Sequence, residues 1–157
     1  MEISNKNVIV TGGANGIGKA LAKAFKNADA SYILIADLDE TEGQRTADEL
    51  GIKFKKTDVS SESDIIELIA TANNDTQSID IFCSNAGIGG APMLLDVSTE
   101  DWQNIWEINV MSHIYAAKNV LPQMIEKGSG YLMNTASAAG LLLSLIHISE
   151  PTRQIVI

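Results

Sequence analysis

The sequence predicts an α/β domain built on one parallel, doubly wound sheet with helices on both faces. Short apolar runs alternate with longer segments of helical period, and five such runs occur. Each run is nearly all apolar instead of alternating with polar residues, the pattern of a strand covered on both faces. Right-handed crossovers are then expected between successive strands. With 157 residues the chain can bury one sizeable core but not two ordinary domains.

The elements follow in order. "NVIVTGG" (Asn7 to Gly13) is β-branched and ends in glycine, a strand running into a turn; Ala20, Leu21, Ala24 and Phe25 then recur at helical spacing. "SYILIAD" is a second strand, followed by a polar helix from Asp39 to Leu50. "IKFKKTDV" is a third, and the next helix carries Ile65, Ile66, Leu68, Ile69 and Ala72, with Ser61 as N-cap and Asp64 in the capping-box position. "IDIFCSNAG" makes a fourth strand. A longer loop passes through Pro92, and Trp102 to Ile125 reads as one long helix. "SGYLMNTAS" is the fifth strand.

Hydrophobic residues at 45% and charged residues at 20% place the chain among globular proteins. The net charge of -9 opposes a nucleic-acid or anionic-membrane partner and favours a small molecule. No stretch reaches the roughly 18 apolar residues of a membrane span. Cys83 is the only cysteine, so neither an intramolecular disulfide framework nor a cysteine metal cluster is expected, and no metal site is read. The start "MEISNKN" lacks a basic and apolar leader; the reading is an untargeted, cytoplasmic protein.

The sharpest local feature is "TGGANGIG", Thr11 to Gly18, where the first strand becomes the first helix. Gly12, Gly16 and Gly18 would let the backbone turn tightly, approach a pyrophosphate and pack the helix closely. The helix N-terminus then offers free N–H groups and a positive dipole end to an anion. Asp37 closes the second strand about 20 residues on, where a carboxylate accepts hydrogen bonds from an adenosine ribose. It would repel a 2'-phosphate, and no Arg or Lys lies in the glycine loop or directly after Asp37, so NAD is preferred over NADP. The competing reading of Asp37 is a solvated capping acid before "DETEG".

The spacing TGxxxGxG, then Asp58-Val59, "SNAG" (Ser84 to Gly87), Asn109 and Ser137 in "NTASAAG", together resemble the classical short-chain dehydrogenase/reductase family over residues 6 to about 142. The resemblance implies a Rossmann fold. It also implies that Asp58 and Val59 hold the adenine, Asn15 and Ile17 the ribose and phosphates, with Leu38 beside Asp37 in the cofactor-binding set. Asn85, Ala86 and Gly87 would line the cofactor and stabilise the sheet. Ser84 stands where the family usually has asparagine. The implied chemistry is hydride transfer between NAD and a secondary alcohol or ketone, with Ser137 and Asn109 catalytic: Ser137 on the substrate oxygen, Asn109 anchoring a water of a proton relay. A tyrosine acid/base and a following lysine complete the family's site, and the parent protein would be a homodimer or homotetramer through the long helix.

Counted from Ser137, the tyrosine and lysine positions hold Glu150 and Gln154. "YAAK" (Tyr115 to Lys118) has the wrong spacing and precedes Ser137; Tyr32 and Tyr131 are expected in the core, and His113 and His147 to be structural or exposed. "LSLIHISEPTR" (Leu143 to Arg153) resembles the in-frame translation of a transposon-end adapter used in sequencing libraries. The expectation is a Rossmann domain over 1–142, truncated after about five strands, with 143–157 a non-native tail. The chain is then the inactive N-terminal part of an NAD-dependent dehydrogenase; the alternative is a non-catalytic NAD-binding or sensing module that lacks the tyrosine and lysine.

Overall fold

The structure, a computed structural model, describes residues 2–89 and 96–137. Pro92, His147, Glu150, Gln154 and the whole of 143–157 lie outside the described residues.

Five strands, β1 (Asn7–Thr11), β2 (Tyr32–Asp37), β3 (Lys53–Lys56), β4 (Ile81–Ser84) and β5 (Tyr131–Asn134), form one parallel sheet in the order β3-β2-β1-β4-β5. The helices are α1 (Gly16–Asn27), α2 (Glu40–Leu50), α3 (Glu62–Thr76), α4 (Thr99–Trp106) and α5 (Ser112–Lys127), with a π-helical turn over Glu107–Met111 between the last two. The strand order reverses direction between β1 and β4, so a crevice opens at their carboxyl ends. Register brings those ends together: Thr11 lies opposite Ala36, Val10 opposite Cys83, and Ser84 opposite Asn134.

The apolar strands serve two cores at once. Val8, Val10, Ile33, Ile35, Ile81 and Cys83 pack under Ala22 and Phe25 of α1 and Ala47 and Leu50 of α2. The alternate residues Ile9, Leu34 and Phe82 meet Ile65, Leu68 and Ile69 of α3 and Ala116, Val120 and Met124 of α5. Side chains alternate across a strand, so filling both faces requires the continuous apolar runs seen in β1, β2 and β4.

Several local expectations are corrected. β3 reads KFKK, not an apolar run: it is an edge strand, and its lysines discourage pairing with another sheet. On α1 the buried positions are Gly18, Ala22 and Phe25, while Ala20 and Ala24 face solvent. A Cβ on Gly18 would fall 1.9 Å from the Gly12 carbonyl oxygen, so the loop and helix touch where only hydrogen fits. Ile66 of α3 is exposed. Ser61 caps α3 by accepting from the Asp64 N–H, but the Asp64 carboxylate accepts the Asp58 N–H and does not return to the Ser61 backbone. The reciprocal capping box instead opens α4, between Ser98 and Asp101. The long helix carries the π turn that periodicity did not show. Tyr131 is half exposed on edge strand β5, not in the core. No helix among the described residues is long and apolar enough to cross a membrane.

Candidate functional site

A cleft of about 1010 Å³ runs along the carboxyl ends of the strands. One end is made by Asp37, Leu38, Thr57, Asp58 and Val59 after β2 and β3; its middle by Gly12, Asn15, Ile17 and Gly18; its other end by Asn85 to Ile88, Ile108, Asn109, His113 and Asn134 to Ser137. Every expected site residue with the exception of Gly16 therefore lines one cavity. Gly16 instead supplies a backbone φ of +52°, which L side chains rarely adopt, at the start of α1.

The end of α1 differs from its neighbours in a way that bears on chemistry. Asp39, Ser61 and Ser98 cap α2, α3 and α4 with their side chains, and each of those helices has acidic residues in its first turn. α1 has Asn15 at its N-cap with no side-chain cap and no acid in its first turn. Its first internal bond runs from the Lys19 N–H to the Asn15 carbonyl, so the N–H groups of Gly16, Ile17 and Gly18 donate to no group among the described residues. Unpaired donors and an uncompensated dipole make an anion site where the cleft passes.

The loop itself is held rigidly. Gly13 donates its N–H to the Ala36 carbonyl at 3.1 Å and Ala14 donates to Asp37 Oδ2 at 3.0 Å. The other oxygen of Asp37 accepts the Asp39 N–H at 3.1 Å. Asp37 is thus not the cap of α2, a task Asp39 performs. Asp58 spends Oδ1 on the N–H and hydroxyl of Ser60, at 2.9 and 2.6 Å.

At the opposite end, asparagines tie the strands together. Asn85 Nδ2 donates to the Thr11 carbonyl at 3.1 Å, and Asn85 Oδ1 accepts from the Thr135 hydroxyl at 3.0 Å, linking the ends of β1, β4 and β5. Thr11 Oγ1 accepts the N–H groups of Asn85 and Ala86. Asn109 uses both side-chain atoms on one residue: Oδ1 accepts the Ile88 N–H and Nδ2 donates to the Ile88 carbonyl, each at 2.9 Å. Its amide thus latches the loop after β4 to the π turn and keeps one N–H and one lone pair in reserve. Ser137 lies just beyond β5 and lines this end of the cleft.

His113 is the residue that the sequence undervalued. It lines the cleft one helical turn after Asn109, and its Nδ1 is buried with no partner among the described residues. Burial pushes its pKa down. The signal available was its spacing from Asn109, which places both on one helix face. The other candidates fall away from the cleft: Tyr115 donates to Glu107 at 3.2 Å and Lys118 pairs with Glu62 at 2.9 Å. Cys83 is buried within β4, where burial pushes its thiol up to about 12, and Tyr32 donates to Asp75.

A glycine loop at the switch point, an uncapped helix end and a carboxylate closing the second strand define a Rossmann-type dinucleotide-binding domain. Residues 6–148 match the short chain dehydrogenase family, and the chain belongs to it. The match extends past Leu142 into the segment 143–157. The uncharacterized oxidoreductase YvrD of Bacillus subtilis (strain 168) is 34% identical over 145 residues, covering 90% of this chain and 54% of that protein. An uncharacterized oxidoreductase of Staphylococcus aureus (strain MRSA252) is 31% identical over 88% of this chain and 61% of its own length. Among solved structures, a short chain dehydrogenase/reductase from Burkholderia phymatum in complex with NAD superimposes with a TM-score of 0.88 at 29% identity, over 92% of this chain and 53% of that one. The 3-ketoacyl-(acyl-carrier-protein) reductase from Brucella melitensis complexed with NADH gives 0.83 at 28%, over 87% and 59%. The chain thus spans between about half and three fifths of the relatives it matches.

Proposed function

We propose that the chain carries the NAD-binding part of an oxidoreductase that moves a hydride between NAD and a secondary alcohol or ketone. The observation that supports this is the sharing of one cleft by the uncapped end of α1, the Asp37 carboxylate and, at the far end, Ser137. The residues present fit such a cofactor. The N–H groups of Gly16, Ile17 and Gly18 await an anion, the remaining lone pairs of Asp37 suit ribose hydroxyls, and Ile17 and Leu38 leave 67% and 63% of their surfaces open beside it. The volume sits at the upper end of the range for small-molecule sites, room for an extended dinucleotide.

Bound NAD would supply the hydride chemistry. The chain's own residues bind and orient. Asp37 and Asp58 make the adenosine end acidic, and the cleft lining there holds no Lys or Arg. Lys56, opposite Asp37 in register, is turned to Glu40 at 3.2 Å, so no cation among the described residues stands at the cleft to offset repulsion of a 2'-phosphate, which favours NAD over NADP. Ser137 holds the substrate oxygen by a hydrogen bond. The Asn109 latch fixes the loop after β4 against the long helix and so keeps that end of the cleft open. The long helix also carries the association of the parent protein into a dimer or tetramer.

Titrating the chain with NADH and NADPH, read by nucleotide fluorescence, tests the binding half. Saturable binding with NADH preferred is expected; a preference for NADPH would remove the cofactor assignment. In a longer version carrying a tyrosine and lysine after Ser137, Ser137→Ala should depress kcat at least a hundredfold with NAD affinity nearly unchanged. Unaltered turnover would take Ser137 out of the mechanism.

A further inference from the structure

Thr46 stands outside the cleft, on the buried face of α2, with no surface exposed. Its neighbours on that face are Gly43, Ala47 and Leu50, where an apolar residue would be the ordinary choice. Its hydroxyl instead donates to the Ala14 carbonyl at 2.6 Å. Ala14, itself fully buried, is therefore gripped at both ends, its N–H by Asp37 and its carbonyl by Thr46.

The position of that carbonyl gives the contact its meaning. In an α-helix each carbonyl accepts the N–H four residues on, so the Ala14 oxygen would take the N–H of Gly18 if α1 began one residue earlier. Here the helix begins one residue later, with Lys19 donating to Asn15. We propose that Thr46 is a positioning residue for the anion site: by occupying the Ala14 carbonyl it keeps the Gly18 N–H out of the helix ladder and available to a phosphate-bearing ligand. The inference rests on the nucleotide-binding reading above. The close seating of α2 makes the reach possible, since a Cβ on Gly43 would fall 2.1 Å from the Phe54 ring, so α2 packs onto β3 more tightly than a side chain there would allow.

Without the hydroxyl, the Ala14 oxygen is released to take the Gly18 N–H, Asn15 leaving its extended conformation (φ −149°, ψ −174°) and Gly16 its φ of +52°, and α1 would lengthen by one residue at the expense of one phosphate donor. The test compares Thr46→Val and Thr46→Ala, which remove the hydroxyl, with Thr46→Ser, which keeps it, in the whole 157-residue chain. Binding is measured for ADP, NADH and adenosine. Both removals should weaken ADP and NADH about tenfold and leave adenosine, which has no phosphate, within about twofold; serine should restore binding. Unchanged ADP binding, equal losses for ADP and adenosine, or failure of serine to restore would overturn the proposal. Amide hydrogen exchange in the ligand-free chain separates this from the parent reading: the Gly18 N–H should exchange fast in wild type and Thr46→Ser and slow in Thr46→Val. Equal exchange in all variants overturns the role of Thr46, whereas a wild-type chain that binds neither ADP nor NADH overturns the nucleotide reading alone.

Discussion

Asp37 divides one carboxylate between two tasks. Each oxygen already accepts a backbone N–H, from Ala14 and from Asp39, and keeps lone-pair capacity toward the cleft. Asp37→Asn turns one acceptor into a donor facing a donor. NADH affinity should fall about tenfold, and discrimination against NADPH should shrink because the repelling charge is gone; fluorescence titration of both nucleotides reads the two effects separately. His113 and Asp80 set the response to acid in different windows. Burial holds the His113 imidazole below its ordinary value of about 6.5, so the unfolded chain takes the proton first. Its effect on stability is therefore nil above that value, and stability falls as pH drops from about 6.5 through the depressed folded value. At Asp80 burial pushes the carboxyl up, but hydrogen bonds from Lys127 and the Asn7 N–H outweigh it and hold the group below the usual carboxylate range. That stabilisation is present above about pH 4 and lost below it. Urea unfolding of His113→Asn between pH 7 and 5 should show a flatter decline than wild type, with the steeper loss near pH 4 and below intact.

Single side chains hold the helix ends, and a single turn sets the phase of the long helix. The side chain of Ser61 serves α3 twice, accepting the Asp64 N–H and donating to its carboxylate at 2.8 Å. Ser61→Ala should cost about 1 kcal/mol in urea unfolding, the usual worth of an N-cap. No comparable cost is expected at Asn15, whose side chain caps nothing. The π turn decides the phase of the long helix. A turn closed by i→i+5 bonds uses roughly one residue more than an α-turn, a lag of about 100°. Trp102 and Trp106 before it, and Ile114, Leu121 and Ile125 after it, are all exposed, and that lag brings the two sets toward one face. The same turn sets Asn109 where its amide reaches Ile88.

For the molecule as a whole, the apolar face of the long helix lies near the open edge of β5, where Tyr131 and the groove between Met124, Ile125 and Leu132 are uncovered. Exposed apolar area of this extent and an edge that pairs with no strand among the described residues both favour association. Sedimentation of the chain should show concentration-dependent association. Ile125→Glu should shift it toward the monomer, and a wild-type chain that stays monomeric at high concentration would remove this face as an interface.

The sheet and its five strands were legible in the sequence, and all but one of the site residues expected from it line the cleft. The reason is physical: in a parallel sheet the motif-bearing strand ends all emerge at one edge, so chain order alone brings Gly12, Asp37, Asp58, Asn85 and Ser137 to the same place. Local chemistry also betrayed Ser61 as a cap, since a cap needs only its own helix. The rest depends on contacts between distant parts of the chain. The grip of Thr46 on Ala14, the preference of Asp64 for Asp58 over its own capping box, and the His113 nitrogen without a partner among the described residues depend on how elements dock, not on their periodicity. Periodicity fixes which residues share a face; which face turns inward, and which donor is left unpaired there, is settled only when a neighbouring element arrives.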